Sequence, residues 1–393
     1  MSNQSIIQSL LDTDLYKLTM MQVVFHHFST AQVEYTFKCR TKGADLLPLE
    51  NDIYDEISAL CQLTFSEEEL DYLGKISYLK ADFIDYLAQF KLDKNTVQMG
   101  KDNEGQLEIK VIGSWLQTIL FEVPVLAIVE ELYARQHDSD INLDFGKQRL
   151  MEKIQQIQSH PLGKQFKLME FGTRRRLSRS WQAQVLQQLS DNIPSNLLGT
   201  SNIFFAKSMN LMPLGTMAHE YLQAFQALGT TLAKSQQEAL ICWMAEYQGD
   251  LSIALTDVVG IDAFIRDFDG VLAQQFEGVR HDSGCPFEWA RKMMAHYEQL
   301  GIDPSTKKLV FSDGLDISLA LKLLTEFHDA VQVSFGIGTN LTNDVGIEPL
   351  SIVMKMTQCN GQPVAKISDS PGKTMCQDDA YLAQLKQSFA VSE

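Results

Sequence analysis

From about residue 165 the chain repeats one pattern: a short apolar run, a stop at Gly, Asp or Arg, then a helical stretch. The runs are "KLMEFGTRRR", "NLLGTSNIFF", "MPLGTMAHEY", "SIALTDVVG", "FEGVRHDSG", "KLVFSDGLD" and "VQVSFGIGTN". The helices between them are well punctuated. "PFEWARKMMAHYEQLG" has Pro286 in its first turn and Gly301 just past its end, and "DISLALKLLTEF" repeats apolar residues at Ile317, Leu321, Leu324 and Phe327. Strands alternating with helices of this length mean βαβ units and a parallel sheet. Polar residues gathered at the strand ends favour a closed α/β barrel, whose active site would sit at the carboxyl ends of the strands. An open doubly wound sheet is the alternative, although no GxGxxG follows a first strand.

The first part of the chain mixes element types. "DLYKLTMMQVVFHHF" has helical periodicity, "QVEYTFKCRT" alternates as a strand does, and "SEEELDYLGKI" opens with a helix-start signature. "QLEIKVIGSW" is a strand after the turn-forming "KDNEG", and residues 115–160 are largely helical. The expected division is an N-terminal α+β domain over 1–130 and the barrel over 131–350. The tail, 350–393, begins as a strand hairpin and is expected to pack on the N-terminal domain.

Composition narrows the partners. With 393 residues, 45% of them hydrophobic and 21% charged, the chain has enough apolar material for two or three domains. A net charge of −17 argues against nucleic acid or an anionic membrane as a general partner, so any bound anion needs a local Arg or Lys cluster. The six cysteines are scattered without paired spacing, which fits free thiols in a reducing compartment rather than a zinc site. The N-terminus has no basic region and carries Asp12 and Asp14, and no apolar run reaches membrane-spanning length. A cytoplasmic location is expected.

Such clusters occur at the strand ends: Arg174 to Arg176, Thr200 and Ser201, Thr216 and His219, Asp257, Arg280 to Ser283, Asp313, and Gly336, Gly338 and Thr339. Together they describe an anion site with added acids. "FGIGTN" can bring backbone N–H groups against a phosphate, and "VRHDSG" sets an Arg suited to a carboxylate or phosphate beside an acid suited to sugar hydroxyls or Mg²⁺. Each residue also has a plain structural reading. "TRRRLSR" can be a solvated helix start, Asp257 and Asp313 can be helix caps, Phe171 can be core, and a lone His219 can be a packed side chain. Lys355, Lys366 and Lys373, spaced along the tail, are either solvated lysines or a basic strip near a phosphate rim.

Taken in order, "LLDTDLYKLTMMQ", "YTFKCR", "EFGTRRR", "GTSN", "GTMAHE", "VRHDSG", "SDGLD" and "FGIGTN" resemble the nicotinate phosphoribosyltransferases, of the type II phosphoribosyltransferases, over essentially the whole chain. The type I signature, two acids before a Thr-Gly-Gly-Thr loop, is absent. The resemblance implies an irregular α/β barrel with an N-terminal sandwich-like α+β domain, and homodimers whose active sites are shared between subunits. It implies transfer of phosphoribosyl from phosphoribosyl pyrophosphate to nicotinate, with Mg²⁺, coupled to ATP through a phosphohistidine at His219. By motif, Tyr16 and Phe171 would sandwich the pyridine ring, Arg174 and Arg280 would face its carboxylate, and Thr216 would line the pocket. Asp282 and Asp313 would hold ribose hydroxyls and Mg²⁺. Gly338 and Thr339 would cradle the 5-phosphate, with Arg40, Ser201, Lys355 and Lys373 also assigned to phosphoribosyl or phosphate. Two alternatives stand beside this reading: a nicotinamide-preferring relative, and a non-catalytic barrel that binds a phosphosugar. The residues do not decide roles for His26, His27 or His281.

Overall fold

The computed structural model describes residues 4–367, 369, 374, 376 and 378–391. Lys373 lies outside them. In chain order the elements used below are α1 (Leu15–His27), β1 (Gln32–Cys39), β2 (Val97–Lys101), β3 (Leu107–Ser114), α2 (Glu122–Gln136), β4 (Leu168–Glu170), β5 (Leu197–Thr200), α3 (His219–Leu228), β6 (Ile253–Leu255), β7 (Gly278–His281), α4 (Pro286–Gln299), β8 (Lys308–Phe311), α5 (Ile317–Phe327), β9 (Gln332–Ile337), α6 (Thr339–Thr342), β10 (Ile352–Cys359) and α7 (Asp379–Ser388).

The chain forms two compact units: residues 1–215 with 337–355, and residues 216–336 with 356–393. Residue 130 lies within the first unit, and the tail from 356 onward belongs to the second. In the first unit β1 pairs antiparallel with β3, and β3 with β2, in register from Gln32↔Ser114 and Val97↔Val111. Alternate β3 residues Leu107, Ile109 and Val111 are buried, as expected of a sheet with one covered face. Helix α1 is different: Leu15 to Val24 are all buried, Lys17 and Gln22 included. Lys17 is tolerated there because its ammonium meets Glu122 at 2.6 Å. The expected helix start after "SEEE" carries a full capping box, in which Ser66 and Glu69 each bond the other's backbone N–H.

The second unit is a parallel sheet in the order β6, β7, β8, β9, with register Ile253↔Gly278↔Lys308↔Gln332. The strands are short and mostly buried, the mark of parallel strands covered on both faces. Pro286 starts α4, Gly301 at φ +72° follows it, and Asp316 caps α5 through Leu319 N–H at 2.7 Å. Of the seven expected strands six form, with β4 and β5 paired in the first unit. The run "MPLGT" does not become one. It makes a single bridge, Thr200↔Pro213, with Thr200 N–H donating to Met212 and Leu214 N–H to Thr200. Pro213 has no N–H with which to extend a ladder. Among the described residues no helix is long and apolar enough to cross a membrane.

Candidate active site

In the second unit the chemistry gathers where the parallel strands end. Asp257 follows β6, Asp282 and Ser283 follow β7, and Asp313 follows β8. Carboxyl ends of neighbouring strands are where α/β folds place ligands. Neither Asp257 nor Asp313 serves as a helix cap, because Gly260 and Asp316 hold those positions. His219 is the first residue of α3, preceded by Ala218, which provides no side-chain cap.

These residues meet around one imidazole nitrogen. His219 Nε2 lies 3.0 Å from Asp257 Oδ1, 3.3 Å from Asp282 Oδ2 and 2.8 Å from Lys366 Nζ. Asp257 Oδ2 accepts from Lys366 at 2.6 Å and from Ser283 Oγ at 2.6 Å. Asp282 Oδ1 accepts from Ser312 Oγ at 3.0 Å. Burial opposes ionisation of Asp257, but Lys366 and His219 outweigh it and hold the carboxyl well below the usual carboxylate range. Asp282 is lowered too, again against burial, by His219 and Lys366. Burial and the Lys366 charge both push His219 below its ordinary value, so the ring is neutral at neutral pH. Among the described residues its hydrogen-bond and ion-pair partners all lie at Nε2.

Arg280, the third residue of β7, lies half-buried beside this cluster. Its Nε is buried without a hydrogen-bond partner, and among the described residues the guanidinium pairs with no carboxylate. A planar cation with unfilled donors is the group a carboxylate ligand would fill. Thr216 Oγ1 donates to Ile253 O at 3.0 Å. His281 is buried against Trp289 and Phe311, with Nε2 3.2 Å from Gly284 O, and so braces the turn after β7.

The first unit holds a second group. The three consecutive arginines diverge: Arg174 is exposed, Arg175 half-buried, and Arg176 wholly buried. Arg176 grips both oxygens of Asp12, at 2.6 and 2.8 Å. Arg174 stands 4.0 Å from Asp14 and 3.8 Å from Glu122. Ser201 is buried and donates to Asp14 at 2.7 Å. Half-buried Phe171 and buried Gly172 form the loop before Arg174, and it is hydrogen-bonded to the Ile337–Asn343 segment that carries Gly338 and Thr339. Phe171 N–H donates to Ile337, Thr342 Oγ1 to Gly172 O at 3.1 Å, Leu177 N–H to Thr342, and Asn343 Nδ2 to Arg175 O at 3.1 Å. Gly338 must be glycine, since a Cβ there would stand 2.6 Å from Phe171 O. Tyr16 is buried on α1, Arg40 lies just past β1 with its N–H bonded to Ser351, and Lys355 is half-buried on β10. His26 pairs with exposed Asp82 at 3.2 Å, on the surface.

The model for the nicotinate phosphoribosyltransferase (NAPRTase) family matches residues 166–393, and that for its N-terminal domain matches residues 11–130. The chain belongs to the nicotinate phosphoribosyltransferase family. It is 52% identical over 390 residues to the nicotinate phosphoribosyltransferase of Burkholderia mallei, covering 99% of this chain and 98% of that one. Its identity to the Xylella fastidiosa nicotinate phosphoribosyltransferase is 53% over 389 residues, covering 98% of each. The crystal structure of nicotinate phosphoribosyltransferase from Vibrio cholerae superposes with a TM-score of 0.94 at 44% identity, covering all of this chain and 95% of that one. The one from Porphyromonas gingivalis gives 0.93 at 32%, covering 98% and 100%. The expected α/β class with a separate antiparallel sheet is thus the fold of this phosphoribosyltransferase family.

Two residues at the centre of the second-unit cluster were read from the sequence only as open alternatives. Asp257 was ambiguous with a helix cap. Lys366 was one lysine of three, although its neighbours carried a signal: a lone cation inside the apolar run "PVAKI" points to a buried, paired charge.

Proposed function

We propose that this member of the nicotinate phosphoribosyltransferase family transfers phosphoribosyl from phosphoribosyl pyrophosphate to nicotinate, releasing nicotinate mononucleotide and pyrophosphate, and couples the transfer to ATP through His219. The observation that carries the coupling is the one-sided anchoring of the ring. Nε2 can donate to Asp257 Oδ1 or accept from Lys366, not both. With the hydrogen on Nε2 and donated to Asp257, the lone pair is on Nδ1. Nδ1 then attacks the γ-phosphorus of ATP; the N–P bond forms, the P–O bond to ADP breaks, and ADP leaves. Asp257 stabilises the positive charge the ring acquires, as the carboxylate of a catalytic triad does for its imidazolium. The start of α3 favours the phosphoryl anion. Hydrolysis to free phosphate resets the ring.

The remaining roles follow the chemistry of each group. By motif, Arg280 and Arg174 are assigned to the nicotinate carboxylate, and Thr216 to its pocket. A neutral amide would leave such a cation unpaired, so nicotinate is preferred over nicotinamide. Phe171 and Tyr16 are assigned to the flat ring, Tyr16 from the partner of a homodimer. Gly338, Thr339, Arg40, Ser201 and Lys355 are assigned to the phosphoribosyl group. Asp257, Asp282 and Asp313 outnumber Lys366 and Arg280 at the strand ends, so the donor set suits a hard cation. Asp282 and Asp313 would hold Mg²⁺, whose charge would favour departure of pyrophosphate.

Incubation of the full chain with Mg-ATP is expected to add one acid-labile phosphoryl group, and His219→Asn to abolish it while part of the ATP-independent transfer survives. Label that persists in the variant would place the phosphate elsewhere. Turnover of nicotinamide above nicotinate would overturn the substrate assignment.

A further inference from the structure

Helix α3 carries His219 at its first residue and, two turns on, holds the segment that bears Lys366. Buried Gln226 makes a two-way clamp on Ala365: its Nε2 donates to Ala365 O at 2.7 Å, and Ala365 N–H donates to its Oε1 at 2.8 Å. The same Oε1 accepts from Tyr381 Oη at 2.9 Å, on the C-terminal helix α7. One turn earlier, buried Gln223 donates to Met356 O at 3.2 Å. On the far flank of Lys366, Ile367 N–H donates to Val258, the residue after Asp257. The backbone is therefore held on both sides of Lys366, by the Gln226 side chain at Ala365 and by Val258 O at Ile367, which limits where its ammonium can stand.

That placement matters for the ring. An ammonium held against Nε2 favours a lone pair there. Held against Asp257 Oδ2, it leaves Nε2–H to donate to Oδ1, which is the tautomer with a nucleophilic Nδ1. Lys366 stands 2.8 Å from the first and 2.6 Å from the second, so small shifts change the balance. We propose that Gln226 and Tyr381 are positioning residues for the phosphoryl-accepting histidine. Through Ala365 they set where the Lys366 ammonium stands between His219 and Asp257, and so tie the C-terminal helix to the ATP-driven half of the reaction. The inference rests on the phosphohistidine reading above.

The test measures the rate of phosphoryl incorporation from γ-labelled ATP into the full-length protein, with the KM for ATP and the melting temperature. Gln226→Met keeps the side-chain volume and removes the clamp. Its saturating phosphorylation rate should fall about tenfold with KM for ATP within about twofold, because misplacement acts on the step rather than on ATP binding. Tyr381→Phe loses one hydroxyl and should fall about two- to threefold. Gln226→Glu still accepts from Ala365 N–H and Tyr381, and should recover part of the loss. Phosphorylation of Gln226→Met at the wild-type rate overturns the inference. So does a loss shared equally by phosphorylation and ATP-independent transfer, which marks a merely structural role. Should Gln226→Met not fold, Tyr381→Phe decides alone, and an unaltered rate overturns the inference. Wild-type protein that takes up no label at His219 brings down the phosphohistidine reading itself, an outcome distinct from a labelled wild type with an equally labelled variant.

Discussion

In the first unit Asp12 and Arg176 have no exposed side-chain surface and meet fork to fork, whereas in the second His219 and Asp282 keep 19% and 28% of theirs. Both clusters set carboxylates against cations, with amide or hydroxyl groups around them. The first is wholly buried and densely bonded, although Arg176 Nε has no hydrogen-bond partner among the described residues. Asp12 also accepts from Asn202, Gln182 Oε1 accepts from Arg176, and Glu170 accepts from Gln182, Thr200 and Gly172 N–H. Among the described residues, the second leaves one nitrogen of its histidine and Arg280 Nε without a partner. Residue type does not separate scaffold from chemistry here; unfilled valence at a partly exposed position does.

The sharpest way to break that contrast is Arg176→Met, which strands Asp12 as a buried, unpaired charge. It should cost about 3–5 kcal/mol in urea unfolding, while His219→Asn should cost under about 1 kcal/mol. Equal costs would mean the two clusters are not different in kind. Asp12 also sets an acid limit. Burial opposes its ionisation, but Arg176 outweighs this and holds its carboxyl below the ordinary value. The stability it contributes is therefore present above that ordinary value and disappears as pH falls through the lowered one.

Next in size is Arg280→Lys, which keeps the charge and loses the planar fork. The KM for nicotinate should rise about tenfold with stability unchanged. Unaltered nicotinate kinetics would remove Arg280 from the carboxylate site. A pH-dependent stability effect belongs to Glu130, on α2. Its Oε1 accepts from Asn343 at 2.8 Å and from Leu350 N–H at 3.3 Å, and burial pushes its carboxyl up to about 8. An unfolded-chain glutamate titrates near ~4.3. The folded chain therefore keeps a proton that the unfolded chain releases between those values, and stability falls as pH rises across that window. Glu130→Gln keeps the acceptor and removes the titration, so urea midpoints at pH 5.5 and 8 should lie closer together than in the wild type. A slope that persists would assign it to other groups.

The parallel strands were legible because apolar runs and helix punctuation are local, and six of the seven formed where expected. The seventh was not, because the pattern of "MPLGT" is apolar while Pro213 lacks the N–H that a ladder needs. At the site, strand-end placement was legible for Asp282 and Asp313, whereas Arg280 lies inside β7 and His219 follows a run that forms no strand. The partners were not: Lys366 meets His219 across 147 positions and Arg176 meets Asp12 across 164. Periodicity carries no information about such pairings. The cap alternative for Asp257 was equally invisible, since Gly260, which takes the cap, gives no stronger local signal than an aspartate.

The division into units has a consequence for synthesis. The first unit is completed by residues 337–355, after the chain has passed through 216–336. At elongation rates of 5–20 residues per second, residues 1–215 wait roughly 7–28 s for the last strand and turn that belong to them. Through that interval Phe171 N–H lacks Ile337, Gly172 O lacks Thr342, and Glu130 lacks Asn343. The nascent protein therefore spends its birth with the Phe171–Arg174 loop unfastened, dependent on whatever in the cell shields a half-built domain.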